Sequence, residues 1–277
     1  MSLLWPKRLL ISLAPGELSW LRVEGLVKSE VTAKGLVAVA PGYGAHAWDG
    51  TIAALRAATA QWSRDRLAVR VVLSNHFVRY ALVPPSNDVS GHAEELALAR
   101  FHFHKIHGDN SRAWDIRLSS DRTGRPRLAA AIDIALLHAL QQSFPQDKRP
   151  RLVSVQPLLM SVFNNGSSLI PDNGAWLIMA EPDRACVTLL KSKAWHVVQN
   201  VKGTFSDVES WIALVERERW RVNLDAVPNT LLIHAAQSNA LLSRTHGAWK
   251  VAPLQMQWPT GLLPSRDGAY IGALSAI

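Results

Sequence analysis

The feature that most constrains the fold is an order of predicted elements that occurs twice along the chain. In the first half, apolar and alternating runs between turn residues predict three strands, a helix and a fourth strand at 9–14, 18–23, 36–40, 49–63 and 69–73. The second half shows the same order at 175–180, 185–191, 194–199, 206–219 and 230–234. Strands and helices arranged in this way predict an α/β protein with two related lobes.

A loop-rich stretch separates the two copies. Residues 164–168 and 171–174 are rich in Asn, Gly, Ser and Pro, so we place the first lobe at 1–163 and the second at 164–277. Further strands are predicted at 77–83, 113–118, 126–131 and 151–156, and further helices at 90–107, 133–144, 238–243 and 268–277.

Composition narrows the class of protein. The single cysteine, Cys186, excludes a disulfide framework and a cysteine-based metal cage, and it lies in a predicted buried strand. No apolar run approaches the roughly 20 residues that span a bilayer, so we expect a cytoplasmic protein without a membrane span. The net charge is +8, and almost all of the excess lies in residues 1–151. Such a surface favours acidic protein tails or anionic lipids; nucleic acid is disfavoured because no recognition motif accompanies the charge.

Three stretches carry a resemblance to a known family. Residues 69–84 (VRVVLSNHFVRYALVP), 151–163 (RLVSVQPLLMSVF) and 267–277 (DGAYIGALSAI) resemble the PilM family of type IV pilus assembly proteins. They are also similar to the cytoplasmic part of GspL from type II secretion and to MshI-type pilus proteins. The resemblance implies a two-lobed actin-like ATPase fold with a small subdomain inserted at about 86–150. It also implies that helix 268–277 returns from the second lobe to the first.

The resemblance also marks the positions at which nucleotide-binding members hold ATP. This chain lacks the family's Asp-x-Gly in the first turn, a glycine in the second turn, and the Gly-Gly at the adenosine. The residues found instead are Ser12, Ala14 and Gly16, then Ala180 and Glu181, then His234 and Ala235. Backbone that approaches phosphate needs small residues and free N–H groups, whereas both turns contain proline. We therefore expect no cofactor and no enzyme activity; a divergent actin-like ATPase or small-molecule kinase is the alternative.

The resemblance implies a partner and a place for it. PilM-like proteins hold the cytoplasmic N-terminal tail of a single-span inner-membrane assembly protein. In this chain the groove would be lined from 77–83 and 94–107, by Phe77, Arg79, Tyr80, Arg100 and His104. The protein would then be a non-catalytic adaptor of a type IV pilus or type II secretion-like assembly, peripheral at the inner membrane through its partner. Ordinary packing of the subdomain is an equally good interpretation of these five residues.

Two histidine motifs suggest other chemistry. His102, His104 and His107 invite a metal site, but positions 102 and 104 lie about 200° apart on a helix, so only 104 and 107 share a face. Ser74 and His76 would form a nucleophile pair only if they were hydrogen-bonded and oriented by an acid. A basic helix face and a turn are the favoured interpretations.

Overall fold

Both copies of the predicted order are present. The computed structural model describes residues 7–25, 28–40, 44–63, 65–86, 91–120, 124–145, 149–222, 224, 226–236 and 244–277. Its strands are β1 (Lys7–Ala14), β2 (Glu17–Glu24), β3 (Glu30–Ala38), β4 (Ala68–Leu73), β5 (Val78–Val83), β6 (Trp114–Leu118), β7 (Arg127–Asp133), β8 (Arg151–Pro157), β9 (Ala175–Glu181), β10 (Arg184–Lys191), β11 (Ala194–Lys202), β12 (Thr230–His234), β13 (Arg244–His246) and β14 (Trp249–Pro253). Its α-helices are α1 (Asp49–Thr59), α2 (His92–His107), α3 (Ile134–Ser143), α4 (Leu158–Gly166), α5 (Val208–Arg219) and α6 (Ile271–Leu274). The first copy is β1–β3, α1 and β4, and the second is β9–β11, α5 and β12, so the predicted repeat is confirmed.

The described residues form two compact units, each assembled from separated stretches of chain. Unit 1 contains the described residues of 1–77, 135–167 and 255–277, and unit 2 contains those of 78–134 and 168–254. This division differs from the lobes that we placed on the sequence, because most of the 86–150 stretch belongs to unit 2 and residues 255–277 belong to unit 1. The assignment of residues to lobes stays a prediction.

Unit 1 is built on a five-stranded sheet in the order β3-β2-β1-β4-β8. The strands β1 to β3 form an antiparallel meander, and β4 and β8 run parallel to β1. Leu9, Ile11 and Leu13 on β1 are fully buried, and because side chains alternate along a strand they share one face of the sheet. Helix α1 lies against this sheet, and Thr51 Oγ1 donates to the Ala14 carbonyl at 2.9 Å.

The other face of the sheet in unit 1 is covered by the C-terminal segment, which contacts β1, β2 and β4. Gly272 lies so close to Ser12 that a Cβ atom at position 272 would stand 2.5 Å from the Ser12 Oγ. Arg70 donates to the carbonyls of Ala276 and Ile277 at 2.9 and 3.1 Å. A side chain at position 272 would therefore have to displace the Ser12 hydroxyl, and Arg70 holds the last turn through its two hydrogen bonds.

Unit 2 contains a six-stranded sheet in the order β11-β10-β9-β12-β14-β13. Its apolar face packs on α5 through Trp211, Leu214 and Val215, which join a buried cluster with Trp176 and Trp249. Helix α5 begins at a capping box in which the Asp207 carboxylate accepts from the Ser210 N–H.

Unit 2 also contains a three-stranded antiparallel sheet in the order β5-β7-β6. Helix α2 packs on one face of it, where Phe103 and Ala99 are fully buried against Ile116, Ala129 and Ala131. Only these two residues of the 16-residue helix are buried, so most of α2 faces outward.

Several predicted elements differ in extent from the structure. The predicted helix 268–277 is wrong in its length: a single 3₁₀ turn at Gly268–Tyr270 leads into the four residues of α6. Two glycines in ten residues, which weaken a helix, account for this. Strand β3 begins at Glu30 rather than at 36, because its charged residues lie on a largely exposed edge strand. Strands β13 and β14 were not predicted, and the predicted helix 238–243 lies outside the described residues.

Candidate functional site

A groove in unit 2 lies between α2, the 3₁₀ turn that follows it, and β6. Its volume is about 600 Å³, and its lining includes charged, aromatic and aliphatic side chains: Arg100, Phe101, His104, Ser111, Arg112, Trp114, Asp115, Ile116 and Ile134. Phe101 is 60% exposed, whereas Ile116 is buried. The groove therefore combines an apolar floor with a charged rim, on which Arg100 and Arg112 outnumber the carboxylate of Asp115.

Two of the five residues predicted for a partner groove line this one. Arg100 and His104 stand one helical turn apart on α2, so both point to the same side of the helix. Neither side chain forms an ion pair with another described residue, so the Arg100 guanidinium is available to a ligand.

The other three predicted residues lie elsewhere. Arg79 is on β5 and its guanidinium stacks over the Trp114 ring, 4.7 Å from the ring centroid. Tyr80, the next residue, points to the opposite face of the small sheet because side chains alternate along a strand. Phe77 is buried in unit 1 and lines no described groove in unit 2. Whether any of the five binds a partner stays a prediction.

Trp114 packs against the guanidinium of Arg79 and the imidazole ring of His107. Partial burial lowers the pKa of Arg79, the Asp133 carboxylate opposes that shift, and the charge of Arg184 adds to it. Partial burial and then the charge of Arg79 lower the pKa of His107, which packs edge-on to Trp114 with ring centroids 5.0 Å apart. Among the residues that line the groove, Arg100 and Arg112 carry permanent positive charge.

The aromatic and aliphatic lining was not predicted. Trp114 and Ile116 were assigned to a strand, and Phe101 to a helix, without a role in binding. The usable signal was helical spacing, since Ala99 and Phe103 lie four residues apart on one face and Phe101 lies about 200° from each of them, so it cannot share their buried face. Arg112 lies within the basic stretch 1–151 and forms an exposed ion pair with Asp109 at 3.0 Å.

The predicted nucleotide positions in unit 1 are engaged in packing. Ser12 lies under Gly272, and the Ala14 carbonyl accepts from Thr51. Gly16 sits in the two-residue turn between β1 and β2, and its carbonyl accepts from the Val39 N–H at 3.0 Å. These contacts tie the turn to its own sheet.

In unit 2 the corresponding positions lie at the ends of parallel strands. Ala180 and Glu181 close β9, and the next two residues, Pro182 and Asp183, turn the chain into β10. His234 ends β12 and is 2% exposed, and Ala235 is 1% exposed. Loss of nucleotide binding stays a prediction.

The other chemistry considered has limited support. Ser74 Oγ and His76 Nδ1 are 2.8 Å apart, but the His76 N–H also donates to that oxygen at 3.1 Å, which is the geometry of a serine-stabilised turn. Within the described residues no group of three His, Cys, Asp or Glu side chains is placed to hold a metal ion. Cys186 is buried as predicted, and burial raises the pKa of its thiol.

The two β-β-β-α-β copies, each with its fourth strand inserted beside the first, define an actin-like fold. No protein-family model and no curated protein sequence matches the chain.

Among solved structures, the chain is similar to the cytoplasmic domain of EpsL, an inner-membrane component of the type II secretion system of Vibrio cholerae, at 15% identity over 98% of this chain and 94% of that one, with a TM-score of 0.58. It is similar to a chain of the PilM–PilN type IV pilus biogenesis complex at 14% identity over 97% of each chain, with a TM-score of 0.63. A Bacteroides thetaiotaomicron protein with an actin-like ATPase fold matches at 9% identity over 83% of this chain and 82% of that one, with a TM-score of 0.54. These likenesses confirm the predicted actin-like fold and, as a likeness of fold, the resemblance to PilM and GspL. Throughout the described ranges, no helix has the length and apolar composition that crossing a membrane requires.

Proposed function

We propose that this protein is a non-catalytic adaptor of a type IV pilus or type II secretion-like assembly. It lies at the cytoplasmic face of the inner membrane and binds the cytoplasmic N-terminal tail of a single-span membrane partner. The observation that carries the proposal is the groove beside α2, which offers an unpaired Arg100 and an apolar floor in a fold shared with a chain of the PilM–PilN complex.

The chemistry of the groove favours a peptide over a small molecule. Its lining spreads along a helix and a strand instead of converging on a few buried polar groups, as small-molecule sites do. Exposed Arg100 and the half-buried Trp114 are residue types enriched where proteins bind proteins. A tail with carboxylates complements the positive rim, and apolar tail residues complement Phe101 and Ile116.

The experiment uses the full chain as bait in a detergent extract of inner membranes. We expect capture of a single-span protein with a short cytoplasmic N-terminal segment, and we expect a synthetic peptide of that segment to bind the purified protein. Arg100→Glu should weaken peptide binding at least tenfold because it reverses the charge at the rim, and should leave the melting temperature unchanged because Arg100 is exposed.

The matched control is Lys250→Glu, which makes the same change of charge at an exposed position on β14, in the same unit but outside the groove. It should leave binding unchanged. Arg79→Glu is a poor test because it removes the stacking on Trp114 and so changes stability as well. Capture of no single-span protein, or equal binding by both variants, contradicts the proposed function.

A further inference from the structure

Strand β6 is an edge strand whose outer side borders the groove. It pairs with β7 only, and no other described strand lies beside it. Trp114, Asp115 and Ile116 all line the groove although their side chains alternate between the two faces of the sheet. Three consecutive residues of a strand can touch one groove only if the groove runs along the edge of that strand.

One contact shows which opposed residues of β6 and β7 are hydrogen-bonded pairs and which are non-hydrogen-bonded pairs. The Ser119 N–H, just after β6, donates to the Leu128 carbonyl at 2.8 Å, which marks a hydrogen-bonded pair. In an antiparallel ladder hydrogen-bonded and non-hydrogen-bonded pairs alternate. Arg117 and Asp115 therefore also direct their backbone groups toward β7.

The alternate residues direct their N–H and C=O groups away from β7. These are Leu118, Ile116 and Trp114, which occupy the non-hydrogen-bonded positions. A second contact confirms that Trp114 is in a non-hydrogen-bonded position, because its N–H donates to the Ser111 carbonyl and not to β7. The outer edge of β6 thus presents the carbonyl of Trp114 and both backbone groups of Ile116, which line the groove, and those of Leu118, which continues the same edge beyond the groove lining.

The opposite edge of the same sheet, strand β5, is not open to pairing with another extended chain. Strand β5 lies against β11, and Asn200 Nδ2 donates to the Val78 carbonyl at 3.1 Å. An open strand edge is a template for another extended chain, and proteins usually cover or charge such edges. In this sheet, β5 is covered and β6 borders an open groove.

We infer that the groove receives its peptide as a fourth strand, paired with the outward backbone groups of Ile116 and Leu118. The inference rests on the proposed function and names its binding mode: an extended, acidic tail segment. In strand addition the backbone bonds supply affinity and alternate side chains supply specificity. Here the peptide side chains that point toward α2 would contact Phe101, Arg100 and His104. A peptide with carboxylate or apolar residues at every second position therefore fits the groove.

The test is amide-resolved hydrogen exchange by NMR on the full chain, with two synthetic peptides. One is the tail of the captured partner, and the other is an eight-residue peptide of alternating valine and glutamate, which does not depend on the capture. Either peptide should slow exchange of the Ile116 and Leu118 amides at least tenfold, and leave Asp115 and Arg117 unchanged because those amides already bond to β7.

N-methylation of the peptide, one residue at a time, tests the same geometry without altering the protein. Methylation should abolish binding at every second residue and leave it within threefold at the residues between. In the protein, Leu118→Pro removes an outward N–H and should abolish binding, whereas Leu118→Val should keep it.

The outcomes separate the two proposals. Arg100-dependent tail binding without the two-residue period, or equal slowing at all four amides, overturns the added strand and leaves the adaptor function standing. No capture of a membrane partner, together with periodic binding of the valine–glutamate peptide, overturns the adaptor function and supports the added strand. Protection by neither peptide overturns the added strand.

Discussion

The two copies of the β-β-β-α-β motif differ in what covers their sheets. In unit 2 the sheet is covered by the motif's own helix, α5, through an apolar cluster around Trp211. In unit 1 one face is covered by the C-terminal segment, more than 200 residues away in sequence from the Arg70 that binds it. Each sheet thus packs on the helix of its own motif, α1 or α5, and unit 1 adds distant, partly polar contacts on its other face.

Removal of residues 268–277 should have the largest effect and should fall on unit 1. Burial of Ile271 and Leu274 contributes roughly 1.5–3 kcal/mol each to the free energy of unfolding, an upper estimate. Hydrogen exchange should show loss of protection in β1, β2 and α1. Full protection of those amides would mean that the C-terminal segment does not stabilise the sheet, and equal loss in β9 and β12 would mean that the two motifs do not differ.

Trp211→Ala should have the next largest effect, in unit 2. The side chain is 1% exposed, its indole N–H donates to the Phe205 carbonyl at 2.8 Å, and truncation of such a core residue costs about 3–5 kcal/mol. Denaturant unfolding measures the loss. Trp220→Ala is the matched control, because that side chain follows the same helix and is 88% exposed; a similar loss in both variants would contradict the local cluster.

Asp267→Asn should cost less, about 1–3 kcal/mol at neutral pH, again in unit 1. Burial disfavours the Asp267 carboxylate, but hydrogen bonds from Lys34 Nζ at 2.6 Å and the Leu263 N–H at 2.8 Å outweigh burial and lower its pKa. A lowered folded-state pKa stabilises the protein above the unfolded-state value and loses that effect as pH falls through the folded-state value. The difference between wild type and variant should therefore shrink in acid; a pH-independent difference would exclude this ion pair as its cause.

Mg-ATP should have no effect on the melting temperature. Both motifs carry proline in the turn after their first strand, and the unit 1 turn is held by its own sheet. A ligand at a hundredfold excess over its Kd would stabilise the protein by about 2.7 kcal/mol, which a thermal melt detects readily. A clear shift of the melting temperature at millimolar Mg-ATP would show that the protein still binds nucleotide, and it would favour the alternative of a divergent ATPase or kinase.

The sequence predicted the motif order well because alternation of apolar residues is a local property. It was less informative at exposed edges and element ends: β3 starts six residues early because Lys34 and Glu30 tolerate an edge strand, and the helix predicted from 206 begins at Val208 with Asp207 as its cap. The predicted helix 90–107 begins at Ser90, and that residue lies outside the described residues. Arg100 and His104 were predicted because the family resemblance implied a groove along 94–107, whereas the approach of Trp114 to that helix depends on tertiary packing that no local pattern encodes.

The assembly of unit 1 from three separated stretches sets the order in which the units can be completed on the ribosome. Unit 2 has all its residues once position 254 has been made, whereas unit 1 still needs 255–277. At about 5–20 residues per second that interval lasts roughly 1–5 s. During this time the Ser12 face of the unit 1 sheet lacks the part of its cover that residues 255–277 supply, and a nascent chain exposes apolar surface there to chaperones and proteases.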